Sequence, residues 1–321
     1  MQPSVRTVDL PRTRMQITEL GEGMPVILCH GFPGLGYSWR HQMQPIADAG
    51  FRAVAPDMLG YGGTDAPADP LEYTHQRVTA DLVALIDELG SERAVFVGQD
   101  FGAPAAWNVA LREPARVAGL ALLSVPYEPQ RLPQRPTELY AATARDHFLH
   151  LHYFQQPGVA DAELARDPRG FLARLLFALS GDYRYVDVWQ HGSDGNGYLD
   201  VLPDAPPLPW SWLTDAELDE MTAVFARTGF TGGLNWYRAL DANWADEDYL
   251  GRVIDAPALF IAGTNEPVLD FVGDAALARM RDHLRDLRGV HLVEGAGHWV
   301  QQERPDQVNA LLVDFLTSVD R

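Results

Sequence analysis

Short hydrophobic runs alternate with amphipathic stretches through the first third of the chain. The runs at 26–28, Arg52–Pro56 and 94–97 predict buried strands. Between the last two, residues 76–89 carry apolar side chains at three- and four-residue spacing, the pattern of a helix with one buried face, and Gly90 ends it. This alternation of strands and helices predicts a parallel sheet covered by helices on both faces.

The pattern changes after residue 126. Residues 127–248 contain helical segments and many aromatic residues but no convincing strand. Within them, residues 192–209 are rich in Gly, Asp and Pro and predict a loop. We interpret residues 127–248 as a helical cap inserted into the strand–helix core.

Strands and helices alternate again behind the cap. The predicted elements are a strand at 258–261, a helix through about Arg288, a strand at 290–293 and a final helix from about Asp306. Ahead of the cap, Gly102 opens a helix and a strand follows at Val117–Leu123. The predicted fold is therefore α/β, with a mostly parallel sheet built from residues 1–126 and 249–321 and no internal repeat.

Composition places the chain among ordinary globular proteins. Of its 321 residues, 46% are hydrophobic and 21% are charged. No apolar run reaches the roughly 20 residues needed to span a bilayer, and the first residues lack the apolar core of a signal peptide. Cys29 is the single cysteine, which excludes an internal disulfide and fits a reducing compartment. We expect a cytoplasmic protein without a membrane partner.

The charged residues exclude several function classes. The formal net charge of -19 argues against a nucleic-acid partner, whose phosphates require a basic surface. All 25 basic residues are arginine, which excludes Schiff-base chemistry and a lysine general base. Arginine without lysine is typical of GC-rich bacterial genomes. The sequence leaves open whether the chain forms a homodimer.

The strongest local motif is Gly-Gln-Asp-Phe-Gly at residues 98–102, where a predicted strand turns into a helix. In such a turn the central residue, here Asp100, is raised above the sheet in a strained conformation, and the glycines prevent clashes between strand and helix. The helix N-terminus behind it favours an anion. Alone, the motif would also fit an acidic helix cap. Its position and two motifs downstream favour a carboxylate nucleophile.

Two later motifs supply the partners that such a nucleophile needs. His298 lies in a Gly-Ala-Gly-His-Trp loop between the last predicted strand and the last helix, from which its ring can reach a cleft. Glu266 follows the strand at 258–261 and is the expected acid. Asp270 is the competing acid, but it lies further along, inside the next predicted helix. Nucleophile, acid and histidine in this order are typical of α/β-hydrolases.

A fourth motif, His-Gly-Phe-Pro at residues 30–33, directly follows the first core strand. In α/β-hydrolases this turn often holds a cis proline, here Pro33, and presents the backbone N–H of the residue before it. We expect the N–H groups of Phe32 and Phe101 to form an oxyanion hole. His30 invites a catalytic role, but support of the turn is the preferred one.

An aspartate nucleophile restricts the chemistry. It is ionised at neutral pH without a base, and it suits displacement at saturated carbon, which leaves an alkyl-enzyme ester. His298, held by Glu266, would then deprotonate the water that attacks the carbonyl carbon of the Asp100 ester. Epoxides and alkyl halides are the electrophiles that this mechanism accepts.

The leaving group separates these two substrates. An epoxide leaves as an alkoxide and needs a donor such as a phenol, whereas a halide needs only N–H donors, typically indoles. Haloalkane dehalogenases usually place a tryptophan directly after the nucleophile, where this chain has Phe101. Fluoroacetate dehalogenases carry arginines just after the nucleophile, where residues 102–104 are Gly-Ala-Pro. Both differences disfavour a dehalogenase.

Sequence strings spread over nearly the whole chain resemble those of soluble epoxide hydrolases. The core strings are HGFPGLGYSWRHQ at 30–42, DMLGYGGTD at 57–65, GQDFGAPAAW at 98–107 and EGAGHWVQQERP at 294–305. The cap strings are HYFQQPGVADAEL at 152–164, WLTDAELD at 212–219 and GFTGGLNWYRALDANW at 229–244. The resemblance implies an α/β-hydrolase fold with a helical cap, hydrolysis of a small-molecule epoxide to a vicinal diol, and no cofactor.

The resemblance also implies two cap tyrosines that donate hydrogen bonds to the epoxide oxygen. Tyr237 matches one of them, but the other position is His150. His150 either donates a hydrogen bond itself or only shapes the pocket while Tyr237 works alone, and the sequence does not decide between these roles. We expect four further residues to contact the substrate: His30, Pro33, Trp236 and Phe154.

Three hypotheses follow. The leading one is an epoxide hydrolase, and the alternatives are a haloalkane or haloacid dehalogenase of the same fold and a non-catalytic small-molecule-binding relative. His147, His150 and His152 also raise the question of a metal site. Asp146 is the only carboxylate nearby at ligand spacing, and the family uses no metal, so we expect none.

Overall fold

A computed structural model of the chain describes residues 2–246 and 251–319. Its sheet has eight strands in the order β1-β2-β4-β3-β5-β6-β7-β8. The strands are β1 (Ser4–Asp9), β2 (Arg14–Leu20), β3 (Pro25–Cys29), β4 (Arg52–Pro56), β5 (Ala94–Gln99), β6 (Val117–Leu123), β7 (Ile254–Gly263) and β8 (Leu284–Val293). β2 is antiparallel to both β1 and β4, and all other neighbours are parallel.

Helices surround this sheet. In the described residues they are α1 (Arg40–Asp48), α2 (His75–Glu88), α3 (Gly102–Arg112), α4 (Pro136–Thr143), α5 (His150–Tyr153), α6 (Val159–Leu164), α7 (Pro168–Ala178), α8 (Tyr198–Val201), α9 (Asp215–Thr228), α10 (Thr231–Arg238), α11 (Leu240–Ala245), α12 (Pro267–His283), α13 (Val300–Glu303) and α14 (Pro305–Ser318). Short 3₁₀ helices lie at Gly36–Trp39, Pro70–Tyr73, Pro114–Arg116 and Tyr185–Gln190. None of the helices in this described part of the chain has the length and apolarity to cross a membrane.

The hydrophobic core lies on both faces of the sheet. β3, β5 and β6 are buried along their whole length, as expected for central parallel strands. α1 and α14 pack against one face, and α2 and α3 pack against the other. Because β5, β6, β7 and β8 are parallel, their carboxyl ends lie at the same end of the sheet. The predicted nucleophile, acid and histidine follow β5, β7 and β8 at this end.

The predicted strands of the core are confirmed as β3 to β8, but the sequence analysis does not predict β1 and β2. This N-terminal hairpin forms one edge of the sheet. A single residue of β1 is buried, and in β2 the buried residues alternate at first with exposed or half-buried ones. A half-exposed edge hairpin has few apolar residues, so its hydrophobic signal is weak.

Two predicted elements are wrong in part. The helix expected through about Arg288 ends at His283, and β8 begins at Leu284. β8 is the other edge strand, so it carries the charged residues that edge strands favour, and these resemble an exposed helix in the sequence. The loop expected at residues 192–209 contains one helical turn, α8, whose Tyr198 is buried.

The helices α4 to α11 all lie between β6 and β7, and no strand interrupts the described residues 127–246. The boundary at residues 248 and 249, predicted between cap and core, lies outside the described residues. Trp236 connects this helical segment to the core, because its indole N–H donates to the carbonyl oxygen of Leu59 at 2.9 Å.

Candidate active site

The turn after β5 holds Asp100 above the sheet. Asp100 has a φ of 54°, in the left-handed region that non-glycine residues rarely adopt. A Cβ on Gly102 would lie 1.9 Å from the carbonyl oxygen of Cys29, so only glycine fits where α3 passes β3. The Asp100 side chain keeps 19% of its surface exposed. The strained turn therefore presents a carboxylate that a small molecule can reach.

The loop after β3 reaches the same carboxylate. The backbone N–H of Phe32 donates to Oδ1 of Asp100 at 2.8 Å. A Cβ on Gly31 would lie 2.0 Å from that oxygen, so the loop approaches closely because residue 31 is glycine. The Phe32–Pro33 peptide bond is cis, as predicted. The Phe32 N–H thus donates to a charged oxygen of the Asp100 carboxylate.

His298 lies between two carboxylates. Its Nε2 is 3.4 Å from Oδ2 of Asp100, and its Nδ1 is 2.9 and 3.1 Å from the two carboxylate oxygens of Glu266. The loop is fixed through the backbone carbonyl oxygen of His298, which accepts from Ser124 Oγ at 2.8 Å and from Gln99 Nε2 at 3.1 Å. The ring is thereby placed between the two acids in a nucleophile–histidine–acid arrangement.

Glu266 and Asp270 occupy different environments. Glu266 is buried and caps α12, because its Oε1 accepts from the backbone N–H of Val268 at 2.9 Å. Asp270 is exposed and lies inside α12, as the sequence predicts. The acid that contacts His298 in this structure is therefore Glu266.

Glu303 is a supporting residue that the sequence analysis misses. Its carboxylate accepts from the backbone N–H groups of Gly297, Trp299 and Gly181 at 2.8 to 3.1 Å. Two of these N–H groups flank His298, and the third belongs to the helical segment. Glu303 belongs to the string at 294–305, but only the folded loop shows what its carboxylate holds.

The two carboxylates set the protonation state of His298. Burial lowers the pKa of His298, but the charges of Glu266 and Asp100 raise it further than burial lowers it, to about 10. With a pKa of about 10, His298 carries a proton at neutral pH. Removal of either negative charge would lower this pKa.

Tyr237 faces the nucleophile from α10. Its buried ring packs edge-on against Phe101 with centroids 4.7 Å apart, and against Phe154 at 4.9 Å and Phe32 at 5.6 Å. Burial, and then the charge of Asp100, raises the pKa of Tyr237 well above its ordinary value. The phenol therefore remains protonated and can donate a hydrogen bond.

Polar contacts brace the segment that carries Tyr237. Gln155 Nε2 donates to the carbonyl oxygens of Tyr237, at 3.0 Å, and Leu151, at 2.8 Å. Arg238 forms an ion pair with Asp161 at 2.5 Å and donates to the carbonyl oxygen of Phe154 at 3.1 Å. These contacts fix α10 against α5 and α6.

His150 begins α5 beside Tyr237, with ring centroids 5.9 Å apart. Its Nδ1 lies 3.2 Å from the hydroxyl oxygen of Tyr185, which lies 2.7 Å from the hydroxyl oxygen of Tyr198. Neither tyrosine is predicted from the sequence, because Tyr185 lies 35 positions from His150 and 13 positions from Tyr198. The structure thus brings His150 to the site and attaches it to a pair of phenols.

The remaining predicted residues lie in the loop after β3 and in the helical segment. Nδ1–H of His30 donates to the carbonyl oxygen of Gly31, and Nε2 accepts from the N–H of Met58, at 2.8 and 2.9 Å. Burial lowers the pKa of His30, so its ring stays neutral and holds the turn through both nitrogens. Pro33 is buried behind Phe32, Phe154 packs on Tyr237, and Trp236 packs on Phe101.

Neither His147 nor its neighbours form a metal centre. Nδ1 of His147 donates to the carbonyl oxygen of Trp189 at 2.8 Å. Throughout residues 2–246 and 251–319, no three His, Cys, Asp or Glu side chains are grouped to hold a metal ion.

The chain matches a known class of protein. The family model described as the alpha/beta hydrolase fold matches residues 24–152 of the chain. The mostly parallel eight-stranded sheet flanked by helices agrees with that class, so the predicted fold class is confirmed.

Individual relatives give the family. The chain is 46% identical to epoxide hydrolase A of Mycobacterium tuberculosis over 325 residues, which cover 99% of this chain and 98% of that protein. It is 47% identical to the crystal structure of epoxide hydrolase A from Mycobacterium thermoresistibile, with a TM-score of 0.92 and 99% of each chain covered. An epoxide hydrolase from an endophytic Streptomyces has 41% identity and a TM-score of 0.93, with 98% of this chain and 95% of that one covered. The chain belongs to the epoxide hydrolase family.

The protein is therefore a hydrolase of the epoxide hydrolase family, and this part of the leading hypothesis is confirmed. The diol product and the two-step covalent route remain predictions. The non-catalytic alternative is not supported by these relatives. A dehalogenase is also disfavoured by the site, because Phe101 has no N–H group in its side chain and the indole N–H of Trp236 is already bound to Leu59.

Proposed function

We propose that the protein hydrolyses epoxides to vicinal diols in two covalent steps, with Asp100 as the nucleophile. The observation that carries this proposal is the geometry of one carboxylate. Asp100 Oδ1 accepts from the Phe32 N–H at 2.8 Å, while Oδ2 lies 3.4 Å from Nε2 of His298. One oxygen is thus held at the oxyanion position and the carboxyl carbon faces the base, an arrangement suited to forming and then cleaving an ester.

In the first step, an oxygen of Asp100 forms a bond to an epoxide carbon. The epoxide C–O bond breaks and its electron pair passes to the epoxide oxygen, which takes a proton from the phenol of Tyr237. The tyrosine recovers this proton, in net terms, from the imidazolium of His298. The products of the step are a hydroxyalkyl ester of Asp100 and a neutral His298.

In the second step, neutral His298 takes a proton from water, and the hydroxide adds to the carbonyl carbon of the Asp100 ester. The N–H groups of Phe32 and Phe101 stabilise the resulting oxyanion. The intermediate collapses as the bond between the carboxyl carbon and the diol oxygen breaks. The departing oxygen gains, in net terms, the proton of the hydroxide that added, so the diol leaves as an alcohol and the Asp100 carboxylate and the His298 imidazolium remain. Protons and electrons therefore balance over the cycle, with water as the only co-reactant.

The helical segment at residues 127–248 acts, in this proposal, as a cap that supplies the donor and the apolar walls. Tyr237 comes from α10, while Pro33, Phe154 and Trp236 line the space around the epoxide carbons. His30 supports the turn that presents the Phe32 N–H. No metal or cofactor takes part.

We expect the rate of ester hydrolysis to rise with pH. The charges of Glu266 and Asp100 raise the pKa of His298 to about 10 in the free enzyme, and esterification removes the Asp100 charge. The pKa of His298 in the ester intermediate therefore falls below that of the free enzyme, and hydrolysis needs the neutral ring. Rapid-quench kinetics with styrene oxide should show hydrolysis increasing through an apparent pKa below about 10. A hydrolysis rate that falls as pH rises through this range would contradict the assignment of His298.

The ester itself tests the proposed function. Because hydrolysis slows as pH falls, acid quenching during turnover at mildly acidic pH should trap the largest fraction of modified enzyme. Peptide mapping should then find the peptide that contains Asp100 heavier by the mass of one epoxide molecule. An adduct on another carboxylate, or unmodified protein throughout turnover, would overturn the covalent route.

Replacement of Tyr237 by phenylalanine should slow the first step selectively. Loss of the proton donor is expected to lower the alkylation rate by about 10²-fold, with a much smaller change in ester hydrolysis. Single-turnover kinetics measure the two rates separately. Tyr140→Phe is the matched control, because Tyr140 lies on α4 beside a different cleft, and it should retain the wild-type rates. Equal slowing of both steps in Tyr237→Phe would argue against a donor role.

A further inference from the structure

His150, Tyr185 and Tyr198 form a short chain of hydrogen bonds beside the nucleophile. The Tyr185 hydroxyl oxygen stands in the middle, 3.2 Å from His150 Nδ1 and 2.7 Å from the Tyr198 hydroxyl oxygen. Both phenols are buried, and the rings of His150 and Tyr198 stack with centroids 5.8 Å apart at 14°. The three side chains come from α5, the 3₁₀ helix at Tyr185–Gln190 and α8.

The direction of these hydrogen bonds follows from the groups available. In the described residues, the Tyr198 hydroxyl has no hydrogen-bond partner besides Tyr185, and the rings of Phe148, Phe154 and Phe171 surround Tyr198. If Tyr185 donated to Tyr198, the Tyr198 proton would be buried without an acceptor, which is costly. Tyr198 therefore donates to Tyr185, and Tyr185 donates to Nδ1 of His150.

This direction fixes the protonation of the His150 ring. A ring nitrogen that accepts a hydrogen bond carries no proton, so in a neutral imidazole the other nitrogen, Nε2, carries it. Burial lowers the pKa of His150 to about 4, while Asp100 raises it and His298 lowers it by smaller amounts. The ring is therefore neutral at physiological pH, with its proton on Nε2.

The His150 ring packs beside Tyr237 and leaves its Nε2 available. No described residue forms a hydrogen bond with His150 Nε2, although the ring meets Tyr237 edge to face at 5.9 Å and 85°. The charges of Asp100 and His298 both act on this ring. His150 therefore stands next to the proposed phenol donor, with an N–H group that no protein acceptor uses.

We propose that Tyr185 is a positioning residue, which donates to Nδ1 of His150 and so keeps Nε2–H as a second hydrogen-bond donor to the epoxide oxygen beside Tyr237. This inference rests on the proposed function. His150 stabilises the developing alkoxide by a hydrogen bond alone, and the transferred proton still comes from Tyr237. The role of His150 that the sequence leaves open is thereby assigned to donation, and Tyr198 completes the chain by donating to Tyr185.

The tautomer of His150 is measured on the free enzyme. Two-dimensional ¹H–¹⁵N spectra distinguish Nε2–H from Nδ1–H imidazoles, and comparison with a His150→Gln protein assigns the signal among the 10 histidines. We expect Nε2–H in the wild-type protein and in Tyr198→Phe, where Tyr185 can still donate. In Tyr185→Phe we expect a mixture of both tautomers. A wild-type Nδ1–H ring, an imidazolium at neutral pH, or an unchanged tautomer in Tyr185→Phe would overturn the proposal.

Kinetics separate positioning from a structural role. Tyr185→Phe should slow alkylation on the order of tenfold, the effect of one hydrogen bond, and leave ester hydrolysis unchanged. The same substitution should have no effect on a His150→Tyr enzyme, whose phenol is a donor without help from Tyr185. Tyr183→Phe, a nearby phenol that packs on Phe177, is the control and should keep the wild-type rates. Equal slowing by Tyr185→Phe in both backgrounds would show a structural role and contradict the inference.

The covalent route and the role of Tyr185 are contradicted by different results. Trapping of an ester on Asp100 together with an unchanged tautomer in Tyr185→Phe would remove only the role of Tyr185. Failure to find any ester would remove the proposed covalent route, while the tautomer of His150 in the free enzyme would still report the hydrogen-bond chain.

Discussion

Replacement of Asp100 by asparagine is expected to lower kcat for epoxide hydrolysis by on the order of 10⁴-fold or more. The amide has nearly the shape of the carboxylate and can still accept from the Phe32 N–H, so the fold should survive. It has no negative charge, however, and is a weak nucleophile towards saturated carbon. The measurement is diol formation from styrene oxide, with circular dichroism to check folding.

Two further variants sharpen this result. Asp100→Ala cannot revert to aspartate by deamidation, so its residual activity is the true background. Asp270→Asn changes an exposed carboxylate of α12 that contacts neither Asp100 nor His298, and it should keep activity within about twofold. An Asp100→Ala enzyme with near-wild-type kcat would rule out Asp100 as the nucleophile.

Replacement of His298 by glutamine should stop turnover without stopping the first step. Loss of the base is expected to lower ester hydrolysis by on the order of 10³-fold, because the Asp100 ester then waits for unassisted water. Tyr237 can still donate its proton once, so the enzyme should consume one equivalent of epoxide and remain esterified. Intact-mass measurement of the protein after mixing with styrene oxide tests this expectation.

The control for this prediction is another histidine. His291 lies on β8, away from the carboxylates of Asp100 and Glu266, and His291→Gln should turn over like the wild type and show no lasting adduct. A His298→Gln protein that keeps releasing diol at the wild-type rate would exclude His298 as the base. One that is never esterified would show that His298 is needed already for the first step.

Local motifs made much of the site predictable. Asp100, Glu266 and His298 each follow a parallel strand of the sheet. The carboxyl ends of parallel strands lie at the same end of a sheet, so the meeting of these residues follows from the fold class. The approach of the Phe32 loop to Asp100 follows from the fold class in the same way. Residues 31 and 102 are glycines, and at both positions the structure leaves no room for a Cβ.

The rest of the site depends on contacts that local sequence does not encode. In the sequence Glu303 resembles an ordinary exposed glutamate. In the fold its carboxylate accepts from the backbone N–H groups of Gly181, Gly297 and Trp299 around His298. Tyr185 lies on a 3₁₀ helix and Tyr198 on α8, and both meet the ring of His150 only in the folded chain. The edge strands β1 and β8 were missed or shortened because half-exposed strands carry little hydrophobic signal.

The high pKa of His298 could not be predicted from sequence either. It arises because two carboxylates lie within 3.4 Å of one buried ring, a geometry that exists only in the fold. Its consequence is mechanistic, since the ring changes from imidazolium to base when Asp100 is esterified. The same residue can therefore hold a proton in the first step and accept one in the second.

The most direct test of the covalent route follows the new oxygen of the diol. Enzyme in excess over styrene oxide is mixed in heavy-oxygen water, so that each molecule turns over at most once. We expect the first-turnover diol to carry unlabelled oxygen from Asp100, and the label to enter the carboxylate of Asp100 instead. Solvent label in the first-turnover diol, with none in Asp100, would contradict the covalent route.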